Sequence, residues 1–199
     1  MATDEIPAEP RVVDLDGLKA LAHPLRVRLV DTLSTYGPAT ASGLADRLGE
    51  SSGATSYHLR QLEKHGFVRE VEGRGTARER WWERVPGAMQ IGSPETRATP
   101  AGRAANRMVS RELLASRESL LHEFIERGQE ELPEEWRDLG GISLVNLQLT
   151  VDQFREASDE LEALQSAFVA RWRGQKTPGA RPVQLQINVF PVMDGTPQE

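Results

Sequence analysis

The 199-residue chain contains no cysteine. Disulfides, thiolate metal sites and cysteine nucleophiles are therefore excluded. Long apolar runs are also missing, none approaching the ~20 residues that a bilayer-spanning helix needs. The opening stretch Met1 to Glu9 carries Asp4, Glu5 and Glu9 but no basic n-region and no apolar h-region. No secretory signal is expected there, no membrane is expected as a partner, and the expected location is cytoplasmic. The signatures of common catalytic sites are absent too: no phosphate-cradling glycine loop, no H-E-x-x-H, no G-x-S-x-G and no histidine-rich cluster. Neither an enzyme nor a bound cofactor is expected.

What is present suits a soluble globular protein of about two small domains, since 38% hydrophobic residues supply material for cores. The formal charge of -6 disfavours a polyanionic partner only until the charges are placed. Between Arg11 and Val85 there are 12 Lys and Arg against 10 Asp and Glu, leaving 12 against 20 for the remainder. The acid lies outside the first domain, and a basic face can coexist with an acidic body.

Residues 1–11 are expected to be disordered. Asp14 can cap a short helix bearing Leu15, Leu18 and Leu21 on one face. Pro24 suits the first position of a second helix, with Leu25, Leu29 and Leu33 at four-residue spacing up to Gly37-Pro38. Thr40 or Ser42 starts a third helix with Leu44, Ala45 and Leu48, ended by Gly49, and Ser51-Ser52 can cap a fourth that buries Leu59 and Leu62 and stops at Gly66. From Phe67 the pattern becomes strand-like, with Gly73-Arg74-Gly75 read as the turn of a hairpin that returns to Val85. Residues 87–99 read as a linker. Pro100 opens a long helix, 100–128, in which the pairs at 113/114 and 120/121 recur at seven residues, a seam suited to packing along another helix. A strand at 142–149, a helix at 151–173 announced by the capping box Thr150-Val151-Asp152-Gln153, and an alternating strand at 182–192 suggest a crossover unit with parallel strands. The fold class expected is α+β: an N-terminal winged helix-turn-helix over 12–86, made of four helices and a β-hairpin wing, then the long helix and a strand-helix-strand module within 100–199.

In a winged helix-turn-helix one helix enters the major groove, where base edges distinguish all four pairs, and the wing lies over flanking backbone or minor groove. The run Ser51, Ser52, Gly53, Ala54, Thr55, Ser56, Tyr57, His58 places short polar residues at the leading end of the fourth helix, and Arg60 and Lys64 continue its exposed side toward phosphates. In the wing, Arg74 and Arg78 flank the turn with Arg80, and Arg74 at the tip is placed for a minor groove. The bland reading of the same residues is a solvated, capped helix. Trp81-Trp82 could form a stacking platform, but adjacent strand residues face opposite ways, which favours one in the core and one on the surface.

These motifs resemble an ArsR-type winged-helix transcriptional regulator. The resemblance rests on Leu18-Lys19-Ala20-Leu21-Ala22-His23-Pro24-Leu25-Arg26, on Ser56-Tyr57-His58-Leu59-Arg60-Gln61-Leu62-Glu63-Lys64-His65-Gly66-Phe67-Val68 and on Gly73-Arg74-Gly75, about 70 residues in all. It implies a homodimer on an imperfect DNA palindrome, usually a repressor released by a signal, with Ser52, Gly53, Ser56, Tyr57 and His58 facing bases and Arg74 at the wing tip. It is silent about 100–199.

The chain departs from the metal-sensing members of that family. It has no cysteine, and only His122 lies in the long helix, between Glu118 and Glu126 at the spacing of an ordinary solvated salt-bridged face. No metal is expected. A small-molecule effector stays open, because Asn146, Gln148, Gln184, Gln186 and Asn188 could line a pocket in the C-terminal module; a half-exposed sheet is the alternative. A winged-helix module that binds protein in place of DNA is the other function class. Two copies joined through 100–128 would set their recognition helices about 34 to 36 Å apart.

Overall fold

The computed structural model describes residues 11–76, 79–175, 177–193 and 195. It divides into two units, Met1–Gln129 and Glu130–Glu199. Residues 1–10 of the stretch expected to be disordered lie outside the described residues. Arg11, assigned to the same stretch, is instead part of the fold.

The N-terminal unit begins with strand β1 (Arg11–Val12), followed by helices α1 (Leu15–Leu21) and α2 (Pro24–Tyr36). Asp14 caps α1 by accepting a hydrogen bond from the Gly17 N–H at 2.8 Å, and Pro24 occupies the first turn of α2. The cap of α2 is His23, whose Nδ1 accepts from the Leu25 N–H at 3.2 Å. Strand β2 (Ala39–Thr40) leads into helix α3 (Ala41–Leu48), then helix α4 (Ser52–Lys64), strand β3 (Val68–Thr76) and strand β4 (Glu79–Arg84). The sheet has the order β2-β4-β3, all antiparallel. It thus carries one strand more than the expected hairpin. Two residues are too few to show an alternating pattern in sequence, so β2 was hidden beside the α3 cap.

One core joins these elements. Leu18, Leu29, Leu44, Leu59, Leu62, Phe67 and Val68 are essentially inaccessible, with Trp82 of β4 beside them. The residues expected to form a linker are packed against it. Strand β5 (Met89–Gln90) pairs in parallel with β1, Arg11 opposite Met89. Ser93 caps helix α5 (Pro94–Ala98), and Thr96 is buried. The Gly, Ser and Pro that looked like linker composition are a serine N-cap followed by proline at the first helical position. Helix α6 (Pro100–Glu131) then brings Ala105 and Val109 into the same core. Gly102 lets α6 start close to α5, since a Cβ there would fall 1.8 Å from the Thr96 carbonyl oxygen. Most of the long helix expected at 100–128 therefore belongs with the winged helix-turn-helix.

The C-terminal unit contains helix α7 (Glu134–Arg137) and helix α8 (Val151–Trp172). The capping box at the start of α8 is formed: Gln153 N–H donates to Thr150 Oγ1 at 3.3 Å and the Thr150 N–H to Gln153 Oε1 at 2.9 Å. The segments 142–149 and 182–192 flank α8 as expected, but among the described residues they form no ladder with each other or with any strand. The parallel crossover sheet is therefore not made within one chain. Alternation shows that a segment is extended and two-faced; it does not say which edge meets it.

The end of α4 is fastened by the beginning of the chain. The Arg11 guanidinium donates to the carbonyl oxygens of His65 and Gly66, both at 2.7 Å, and its plane lies 5.0 Å from the Phe67 ring centre. A cation there satisfies carbonyls left over at the helix C-terminus and offsets its partial negative charge. Arg11→Ala is expected to lower stability by about 1 kcal/mol. It should read as a lower urea midpoint with unchanged m-value, and an unaltered midpoint would show that the clamp contributes nothing.

Candidate nucleic-acid interface

Helix α4 is held by a stripe of Thr55, Leu59 and Leu62, spaced four and three residues apart and all inaccessible. That spacing puts the three on one side of the helix, and the opposite side is left to solvent. On it lie Gly53, Tyr57, Arg60 and Lys64, all exposed, with Ser56 half-buried on the flank and Ser52 exposed in the first turn, above the buried stripe. Ser51 is the N-cap, its Oγ accepting from the Ala54 N–H at 3.2 Å. The Arg60 Nε donates to the Ser56 carbonyl at 3.1 Å, which lays the guanidinium along the helix surface. Glu63, exposed on the same flank as Ser56, adds one carboxylate near the C-terminal end of the helix.

Two residues expected among the outward group are elsewhere. Thr55 is fully buried and its Oγ1 has no hydrogen-bond partner, so it cannot reach a nucleic acid without unfolding the helix. Its distance of four from Leu59 was the signal that it faces in; the surrounding serines masked it. His58 is half-buried on the flank next to α2. Its Nδ1 accepts from Arg26 Nε at 3.2 Å and its ring centre lies 4.3 Å from that of His23. Arg26 also donates to the Ala20 carbonyl at 2.7 Å. His58 therefore fixes α4 against the start of α2. Burial first, then the neighbouring His23 and Arg26, hold its pKa below the ordinary 6.5, and Glu50 pulls the other way by less.

The turn between α3 and α4 is set by Gly49 at φ 68, a left-handed position that suits glycine. Arg28 of α2 braces it, donating to the Leu48 carbonyl at 2.8 Å and lying 3.6 Å from a Glu50 carboxylate oxygen. On α3, the exposed Arg47 stacks 3.8 Å over the Tyr36 ring. No spacing singled out this cation, because its placement depends on a partner eleven residues away on another helix.

The wing differs from the hairpin expected. Gly73, Arg74 and Gly75 are not its turn; they lie within β3, where the register slips between Glu70, opposite Trp82, and Gly75, opposite Arg80. The extra residues make a bulge, and Gly73 at φ 71 helps it form. A Cβ on Gly75 would sit 2.1 Å from the Glu79 carbonyl oxygen, so only glycine fits there. Arg74 is exposed and its guanidinium lies 3.6 Å from the Trp81 ring centre, a cation–π contact on the outer surface of the wing. Trp82 is the core member of the tryptophan pair. Arg80 is 3.4 Å from Glu70. Arg78 lies outside the described residues.

Further along the chain, Arg103 of α6 donates to the Arg97 and Ala98 carbonyls at 2.9 and 3.1 Å, at the end of α5. His122 is exposed, 4.0 Å from Glu126. Among the described residues no three His, Asp or Glu side chains converge as a metal site, and no helix is long and apolar enough to cross a membrane.

Residues 21–71 match the family model described as a helix-turn-helix domain. No curated protein matches the chain in sequence. Among solved structures, the chain is similar to the YusO protein from Bacillus subtilis, at 15% identity over 75% of this chain and 78% of that one, with a TM-score of 0.32. It is similar to the transcriptional regulator Tm0710 from Thermotoga maritima at 16% identity, covering 82% and 90%, TM-score 0.31. A third is wild-type MarR in its apo form from E. coli, 13% identical, covering 73% and 85%, TM-score 0.29. These whole-chain likenesses are loose and add nothing to the local match. The matched segment with the three-stranded sheet behind it is a winged helix-turn-helix domain.

Thr55→Val replaces an unpartnered hydroxyl by a methyl of the same shape. It is expected to leave stability equal or raise it by up to about 1 kcal/mol, and a clear loss in urea denaturation would reveal a partner for Oγ1. A group whose folded pKa lies below its unfolded value contributes stability in full above the unfolded value and loses it as pH falls through the folded one. Stability should accordingly decline as pH drops below about 6.5, and His58→Gln should flatten part of that decline. Parallel curves for the two proteins would exclude His58 as its source.

Proposed function

We propose that this winged helix-turn-helix protein is a sequence-specific DNA-binding transcription regulator that acts as a homodimer on a palindromic operator. The observation that carries the reading is the division of α4 into a buried stripe and an opposite side rich in short polar and basic residues. Ser52, Gly53, Ser56 and Tyr57 form its leading surface and would meet base edges. Ser51, Arg60 and Lys64 lie where the phosphate backbone would pass. Arg74 on the wing, with Arg78 beside it in sequence, would reach the flanking minor groove. His58 acts at one remove, by setting the angle of the helix. Repression in the manner of ArsR-type regulators is the finer reading, supported by the motifs around His23-Pro24 and Ser56 to Val68.

The two-copy state has support from α6. Beyond the residues that join the core, Leu114 and Ile125 are exposed and Leu121 and Phe124 half-buried. Such a seam suits the same helix of a second copy. A two-fold axis then places both α4 helices on one side and requires a palindrome.

A response to a small molecule is a second reading, favoured by a cavity of about 150 Å³ in the N-terminal unit. Its lining is mixed, apolar from Val27, Val30, Met89, Ile91 and Val109 and polar from Asp31, Ser34, Arg84 and Arg117. In the C-terminal unit, the Asn and Gln side chains of segments 142–149 and 182–192 are mostly exposed.

The test is binding to a selected DNA pool at several salt concentrations. Log affinity should fall steeply with log salt, since each neutralised phosphate releases counterions. Arg74→Ala should weaken binding to all sequences and reduce the salt slope by about one, whereas Tyr57→Ala should change which sequences are selected. A flat salt response, or both variants behaving as wild type, would favour a protein-binding module.

A further inference from the structure

The C-terminal unit has almost no interior, with Gln186 only half-buried although its Oε1 is shielded from solvent. Among its described residues none is buried. Seventeen large hydrophobic side chains between Leu139 and Met193 are exposed, including Leu144 at 83%, Leu147 at 66%, Val183 at 69% and Phe190 at 71%. Helix α8 presents Phe154, Leu161, Leu164, Phe168 and Trp172 along one side, and Leu164, Phe168 and Trp172 are exposed there. Yet the unit is built for order. α8 has a complete capping box, and Val183, Leu185, Ile187 and Val189 alternate strictly with Gln184, Gln186 and Asn188. In 142–149 the odd positions Val145, Leu147 and Leu149 do the same against Asn146 and Gln148. The N–H groups of both segments make no backbone hydrogen bond among the described residues.

A polypeptide of this size cannot stay ordered with nothing buried. Within one chain the two segments form no ladder with each other, so each keeps a row of N–H and C=O groups without a strand partner. We propose that a second copy of the chain supplies the missing strands. Segments 142–149 and 182–192 of both copies would form one four-stranded sheet, with the two α8 helices laid over its apolar face. The amide side chains then face the other, wetter side.

Three observations select a second copy over other occupants. The exposed apolar surface of the unit, seventeen large side chains, is of the extent and hydrophobic character that obligate homodimers bury. A small molecule could cover only a fraction of it. Residues 130–199 hold 6 Lys and Arg against 12 Asp and Glu, so anionic membrane surfaces and DNA phosphates are repelled. Unpaired extended edges are also self-complementary: each N–H and C=O row is a template for another copy of itself.

The inference extends the two-copy reading above but stands on the C-terminal unit, and its test reads assembly separately from DNA affinity. Sedimentation equilibrium of the full chain should give a dimer at low micromolar concentration. Leu147→Asp with Ile187→Asp should weaken dimerisation at least 100-fold, while circular dichroism retains the helices of the N-terminal unit. Because the chain has no cysteine, Asn146→Cys, Gln148→Cys, Gln184→Cys, Gln186→Cys and Asn188→Cys can each be introduced alone. At least one of the five should form an intermolecular disulfide on mild oxidation, whereas Glu160→Cys on the polar side of α8 should not. A monomeric wild type, a dimer indifferent to the double substitution, or no cross-link from any of the five would overturn the proposal. Loss of DNA binding in a protein that remains dimeric would count against the DNA reading alone.

Discussion

The N-terminal unit depends on how α4 is held. Three residues, Thr55, Leu59 and Leu62, commit one side of the helix to the core, and what the helix presents to solvent follows from that commitment. Hydrophobic burial fixes the rotation of the helix about its axis. Polar contacts fix its other freedoms. Ser51 sets where it begins, the Arg26–His58–His23 group sets its tilt against α2, and Arg11 closes its far end. Each clamp comes from a different part of the chain, so the presented surface is defined by the unit as a whole.

The four helices, their order and the inward leucines were legible because each is long enough for the 3.6-residue period to repeat and each is announced by a cap residue or a proline. The places where structure departs from sequence pattern have common physical roots. Strands β1 and β2 contain two residues each, below the length at which alternation has meaning. Gly73-Arg74-Gly75 has turn composition, but its glycines serve a bulge, because Gly75 passes against the Glu79 carbonyl. Ser93-Pro94 has the composition of a loop and is a helix start. Thr55 stands among serines, although its spacing from Leu59 places it inside.

The candidate site was legible as a surface, from Ser51 to Lys64, but not as a set of roles. Whether His58 faces outward depends on Arg26, thirty-two residues earlier, and where Arg74 rests depends on Trp81 across the wing. Such pairings are properties of packing and leave no local trace. The C-terminal segments illustrate the same limit from the other side. Their two-faced pattern is plain in the sequence, but a β-ladder needs two edges, and the second edge is not found beside the first.

The wing separates shape from message. At position 75 the backbone of the opposite strand leaves room for hydrogen alone, so the bend is locked by one residue that carries no side chain. The neighbouring position 74 projects into open solvent, with the flat indole of Trp81 as a shelf beneath it. A lineage diverging from this chain could exchange the residue at 74, and with it the chemistry offered to a partner, without relaying the strand that carries it. Specificity and architecture would then evolve on independent clocks in adjacent codons.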